Sequence, residues 1–187
     1  MIDSVKTGAS GSMKYIIWFL VSVLIWTWIF GRITDADAEN KVVLYADAES
    51  VDSGTLETLA AELLPGGIKF FKARTLSYAV FDETELAAAD MYILTEDTLG
   101  DYMPSLLPLT AYAAVHPEQL YYTVDGVPYG ICVFDPGSEL SAGGEYITYG
   151  SKRAWLFFNS ASLHAGDLNS SADNAAIIIA EAFFGIE

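Results

Sequence analysis

The chain has 187 residues, with 9 Lys and Arg against 25 Asp and Glu, a formal net charge of -16. Apolar residues make up 52% and aromatics 13%, enough for a core and too many for wholesale disorder. Such acidity excludes nucleic acid as a partner, because phosphate binding needs clustered cations. The single Cys excludes an internal disulfide framework and a four-Cys zinc site.

In chain order, residues 1–14 read as a polar N-terminal tail. Residues 15–31, Tyr15 to Gly31, carry no charge and are flanked by Lys14 and Arg32. Seventeen residues make about 25 Å of helix, the short end of what spans a bilayer. Tyr15, Trp26 and Trp28 suit the interfacial belts, and a helix lets the Ser22 and Thr27 hydroxyls bond back to its own carbonyls. The expectation is a transmembrane helix or uncleaved signal anchor in the cytoplasmic membrane. Lys6 and Lys14 place the N-terminus inside and the rest outside. The alternative is secretion after cleavage near Ala38, where Ala36-Asp37-Ala38 has the small-x-small form of a cleavage site.

Residues 32–40 read as an acidic stalk, and 41–187 as one extracytoplasmic domain. Lys41 to Ala46 forms a buried strand. The spacing of Leu56, Leu59, Ala60, Leu63 and Leu64 predicts an amphipathic helix, capped by Asp52 or Ser53 and stopped by Pro65-Gly66-Gly67. Ile68 to Ala73 is a second strand. Asp82-Glu83-Thr84-Glu85 has the form of a capping box for a short helix reaching Ala89. Met91 to Leu94 is a third strand, followed by a short helix about 96–103. Leu120–Val124 and Val127–Phe134 flank Asp125-Gly126, a two-residue hairpin signal. A Gly-rich loop, 136–144, leads to strands near 146–149 and 154–158. A helix from about 172 to 184 is apolar almost all round, so it is either buried or meets a partner. The fold class expected is α/β: a single three-layer domain on a mixed, mainly parallel sheet.

Enzyme chemistry finds little footing. Asp35, Asp37 and Glu39 have the 1,3,5 spacing of a calcium loop, but Asn40 and Ala46 stand where it needs Gly and Glu. Ser162, His164 and Asp167 are triad residue types crowded into six positions without a nucleophile elbow. His116 and His164 lack a second ligand at metal spacing. Cys132 lies in an apolar run and reads as a buried, inert thiol. No cofactor is implied.

The order of segments carries a resemblance. Val42–Tyr45, a helix, Ala89-Asp90-Met91-Tyr92-Ile93-Leu94 with an acidic turn, Leu106-Leu107-Pro108-Leu109 and Asp125-Gly126-Val127-Pro128-Tyr129-Gly130-Ile131 follow one another. Trp155-Leu156-Phe157-Phe158-Asn159 comes later. Together, over about residues 41–160, they resemble the N-terminal lobe of the bacterial extracellular solute-binding proteins that serve ABC importers. Cys132 departs from the family's Pro, and the length after the apolar segment leaves room for one lobe only. The resemblance implies a fold more firmly than transport.

The expected function is a membrane-anchored, non-catalytic binding module for a small molecule, the ligand unknown. In α/β sheets ligands collect at the carboxyl ends of strands. The candidate ligand-binding residues are therefore Tyr45 and Asp47 after the first strand, Glu96 and Asp97 after the third, and Tyr129 from the hairpin. Their competing roles are helix caps and solvated carboxylates for the acids, and core packing for the tyrosines. The alternative function is a structural or assembly protein of the envelope that contacts a membrane protein partner.

Overall fold

The computed structural model describes residues 3–34, 38–64, 68–77, 83–165 and 174–185. The chain divides into two units, Met1–Ala36 and Asp37–Glu187. The first is one helix, α1 (Asp3–Thr34), whose described side chains are 13–27 and 29. Thr27 Oγ1 donates to the Val23 carbonyl at 2.8 Å, the back-bond expected of a hydroxyl in an apolar helix. Among the described residues no helix is both long and apolar enough to cross a membrane. The span expected at 15–31 runs over side chains at 28, 30 and 31 that lie outside the described set. So do Asp35, Ala36 and Asp37 of the stalk, Pro65-Gly66-Gly67, Asp82, Asp167, and the start of the final helix at 172.

The second unit is built on a six-stranded sheet: β1 (Lys41–Ala46), β3 (Phe70–Thr75), β4 (Met91–Thr95), β5 (Tyr121–Val124), β6 (Val127–Phe134) and β8 (Ala154–Phe158). Its order is β3-β1-β4-β8-β6-β5. β3, β1 and β4 are parallel, while β8, β6 and β5 join antiparallel, so four of the six strands run one way. A second ladder pairs β2 (Ser50–Val51) with β7 (Ile147–Thr148). Two-residue strands have no periodicity to announce them. The hairpin turn has φ 51° at Asp125 and 80° at Gly126, the positive values a two-residue turn needs to match strand twist.

Both faces of the sheet are covered, which is why β1, β4 and β8 read as unbroken apolar runs. On one face Val42, Leu44, Ile93, Ile131 and Leu156 meet Leu56 and Ala60 of α2 (Ser53–Leu63) and Ala176, Ile179 and Ala180 of α5 (Ala175–Phe184). On the other, Val43, Tyr45, Tyr92, Leu94, Trp155 and Phe157 meet Leu86 of α3 (Glu83–Ala87) and Leu99, Tyr102 and Met103. The final apolar helix is thus core. Asp52 caps α2, its Oδ1 accepting the Thr55 N–H at 3.2 Å.

Two expectations need correction. The second strand is Phe70–Thr75, two residues later than expected at each end, although the Lys69 N–H already donates to the Asn40 carbonyl at 2.8 Å just ahead of the ladder. The helix expected over 96–103 is two 3-10 turns, Leu99–Asp101 and Met103–Ser105, interrupted at Tyr102 and followed by Pro104 inside the second. The capping box expected at 82–85 falls partly outside the described residues, at Asp82. The Glu85 carboxylate reaches Lys41 Nζ at 2.8 Å and Lys72 Nζ and Arg74 Nη1 at 3.3 Å. A helix not foreseen, α4 (Thr110–Val115), follows Leu109.

Candidate functional site

The carboxyl ends of β1 and β4 lie side by side, so the residues after them meet. Asp47 is tied down twice. Its N–H donates to the Ile93 carbonyl at 2.7 Å, and its Oδ2 accepts the Thr95 and Thr98 hydroxyls at 2.6 and 2.9 Å. A carboxylate held by two hydroxyls is preorganised, and the cost of ordering it has been met in folding.

The opposite wall is the loop between β7 and β8. The β2–β7 ladder fixes it, with Glu49 N–H on the Thr148 carbonyl at 2.9 Å and Asp52 N–H on the Tyr146 carbonyl at 2.8 Å. That loop brings Gly150, Ser151 and Lys152 over Asp47, Thr95, Asp97 and Thr98, enclosing a cleft of about 430 Å³. Lys152 Nζ is ion-paired with Asp97, and that hydrogen bond and charge hold the ammonium above its ordinary pKa. Next to it, a smaller cleft of about 260 Å³ is lined by Glu96, Asp97, Asp135 and Arg153. There Arg153 Nη2 donates to Asp135 Oδ2 at 2.7 Å, and its guanidinium lies 5.7 Å from the centroid of the Trp155 ring. The Gly137 N–H, and then the Arg153 bond, hold the Asp135 carboxyl below its usual range.

Of the five candidate residues, the structure brings Asp47 and Asp97 together in the larger cleft, while Glu96 lines the smaller one beside it. The two tyrosines go elsewhere. Tyr45 is fully buried in the second core face, its hydroxyl 3.3 Å from Glu85 Oε2. Tyr129 packs at the margin of the same core. Both take the packing role, because residues of β1 and β6 alternate between two buried faces. Sequence reading missed Lys152, Arg153, Thr95 and Thr98. The only trace of the first two was their rarity: a Lys-Arg pair in a domain otherwise poor in cations.

Ser162, His164 and Cys132 are held by structural contacts, while Asp35, Asp37 and Asp167 lie outside the described residues. Ser162 Oγ donates to the buried Asp90 carboxylate at 2.5 Å and accepts the N–H groups of His164 and Ala165. The His164 ring turns instead to the Ala38 carbonyl, with Nε2 at 2.9 Å, so Ser162 has no imidazole base beside it. Burial pushes the Cys132 thiol up, away from a reactive thiolate. Among the described residues no three His, Cys, Asp or Glu side chains converge as a metal site.

No protein-family model and no curated protein matches the chain. One solved structure is similar, the ABC substrate-binding protein Lmo0181 from Listeria monocytogenes in complex with cycloalternan. The identity is 20% and the TM-score 0.36, over 50% of this chain and 28% of that one. The chain therefore spans a little over a quarter of that protein.

Proposed function

We propose that this chain is a non-catalytic, membrane-tethered binding module that takes a small polar ligand in the cleft at the ends of β1 and β4. The observation that carries the reading is the Asp47 carboxylate, fixed by Thr95 and Thr98 at the floor of a cleft of about 430 Å³ whose other wall is Lys152. That volume lies within the roughly 300–1,000 Å³ of small-molecule sites. Most of the side chains that line it are polar, among them Asp47, Asp97, Thr95, Thr98 and Lys152, so directed hydrogen bonds and charge would set recognition, which suits a hydroxyl- or amine-bearing ligand. The order of motifs shared with solute-binding lobes supports the same reading. The tether rests on the uncharged 15–31 segment between Lys14 and Arg32, and on the cations before it, which orient the N-terminus inside.

The test is a thermal-shift screen of the full chain in detergent micelles against sugars, amino acids, short peptides and metal ions. A ligand of the folded state adds about 2.7 kcal/mol at a hundredfold excess over its Kd. A hit that is lost in Asp47→Asn and weakened in Lys152→Ala supports the cleft. A cooperative melt that no compound moves, or a hit that both variants keep, refutes it.

A further inference from the structure

Every cation of the domain has a known place. Residues 33–187 hold six Lys and Arg against 24 Asp and Glu, and all six are among the described residues. Lys41, Lys72 and Arg74 surround Glu85, Arg153 bonds Asp135, and Lys152 pairs with Asp97. Lys69 stands just ahead of β3, where its N–H meets the Asn40 carbonyl at the amino end of β1, and the cleft lies past the other end of that strand. The two histidines are placed as well, His116 against Glu118 and the His164 ring against the Ala38 carbonyl. The parts of residues 33–187 outside the described set contain carboxylates but no Lys, Arg or His, so they bring no further positive charge.

The cleft is short of that charge. Asp47, Glu49 and Asp97 line it against Lys152 alone, and Lys152 answers Asp97. Among the described residues neither Asp47 nor Glu49 forms an ion pair. Asp47 Oδ2 receives the Thr95 and Thr98 hydroxyls. A hydroxyl has one proton, so with these committed both threonines can only accept from a ligand. Asp47 Oδ1 meets no donor among the described residues. The floor is therefore a set of acceptors around an unneutralised carboxylate, and a cleft walled by one sign of charge concentrates ions of the other. A metal ion is poorly served there, since no three ligating side chains converge among the described residues. We infer that, where this cleft is the small-molecule site, its occupant is an organic cation whose ammonium is received by Asp47, with Glu49 adding charge at the rim. Lys152, held by Asp97, contributes the carbon stem of its side chain as wall. The same carboxylates turn anionic ligands away.

The experiment is isothermal titration of the full chain in detergent micelles with glucosamine, glucose and glucuronate, at a pH that protonates the amine. A second set, putrescine, butanediol and succinate, repeats the comparison of positive, neutral and negative on another skeleton. Amide chemical shifts at residues 47–49, 95–98 and 150–152 locate the binding. The amine of each set is expected to bind about tenfold or more tighter than its neutral and anionic counterparts, and to weaken as salt rises. Asp47→Asn is expected to remove that advantage, and Glu49→Gln, at an exposed position, to weaken the amine by about 2–5-fold. A neutral or anionic analogue that shifts the cleft amides as readily as the amine overturns the inference and leaves the cleft standing as the site. Amine affinity unchanged in both variants, or calcium or magnesium alone occupying the cleft more tightly than either amine, overturns it too. If no member of either set moves the cleft amides, the inference falls together with the reading of the cleft.

Discussion

Gly130 is the position where adding a single methyl group tests the packing most directly. It sits in β6 opposite Phe157 of β8. A Cβ built there falls 2.4 Å from Cε1 of that ring and 2.8 Å from Cδ1 and Cζ. Carbon atoms in contact rest at about 3.5–4.0 Å, so the ring must withdraw by about 1 Å. It has nowhere to go: Phe157 is fully buried and is met edge-on by Tyr122, ring centroids 6.0 Å apart. Overpacking of this kind costs about 1–3 kcal/mol. Against it, alanine narrows the unfolded ensemble and returns about 0.4–1 kcal/mol. The clash wins, and Gly130→Ala is expected to lower stability by about 1–2 kcal/mol, or about 2–8 °C in Tm for a domain of this size. The assay is thermal unfolding of Gly130→Ala, Phe157→Ala and the double variant. Phe157→Ala alone loses about 3–5 kcal/mol, and in the double variant the new methyl occupies part of the void, so the two costs should sum to less than their parts. A Gly130→Ala chain that melts at or above the wild-type temperature, with additive behaviour in the double variant, refutes this account of the β6–β8 contact.

Burial pushes the Glu85 carboxyl up, but the Lys41 hydrogen bond and the charges of Lys72, Lys41 and Arg74 outweigh it and leave the group below its ordinary value of 4.5. Its stabilisation is therefore complete above about pH 4.5 and is lost as pH falls through the lower folded value. Glu85→Gln should cost about 1–2 kcal/mol at neutral pH and flatten that acid limb, read by urea unfolding across pH; an unchanged limb counts against the hub. Asp90, 4% exposed, accepts the Val43 N–H at 2.8 Å and the Ser162 hydroxyl at 2.5 Å. Asp90→Ala leaves the Val43 N–H of β1 and the Ser162 hydroxyl without this acceptor, and should lose about 2–4 kcal/mol by denaturant titration, while Ser162→Ala loses about 1 kcal/mol. Burial raises the Tyr92 hydroxyl to about 12, so ultraviolet titration should find it un-ionised through pH 10 in the folded chain. A tyrosine set that ionises entirely near pH 10 would contradict the buried Tyr92–Asn159 contact.

What could be read from the sequence follows from how far each signal reaches along the chain. Asp125-Gly126 specifies its hairpin because the turn's demand for positive φ is met by the two residues themselves. Asp52 caps α2 through Thr55, three positions on. The site divides along the same line. The positions of Asp47, Glu96 and Asp97 after β1 and β4 are legible because a strand's carboxyl end can be located from its own apolar run. Lys152 was not, because it reaches Asp97 across 55 residues through the two-residue β2–β7 ladder, which has no pattern of its own. The tyrosines failed for a different reason. Tyr45 follows Leu44 in a strand whose every residue from Val42 to Ala46 is buried, so its parity selects the second core face and gives it no view of the cleft. Glu85 shows the same long reach: its local pattern is that of a helix start, while the three cations it meets stand 11 to 44 residues earlier, on β1 and β3. The parallel pairing of those two strands is what gathers the cations around one carboxylate, and pairing between distant segments leaves no mark in the local pattern of either.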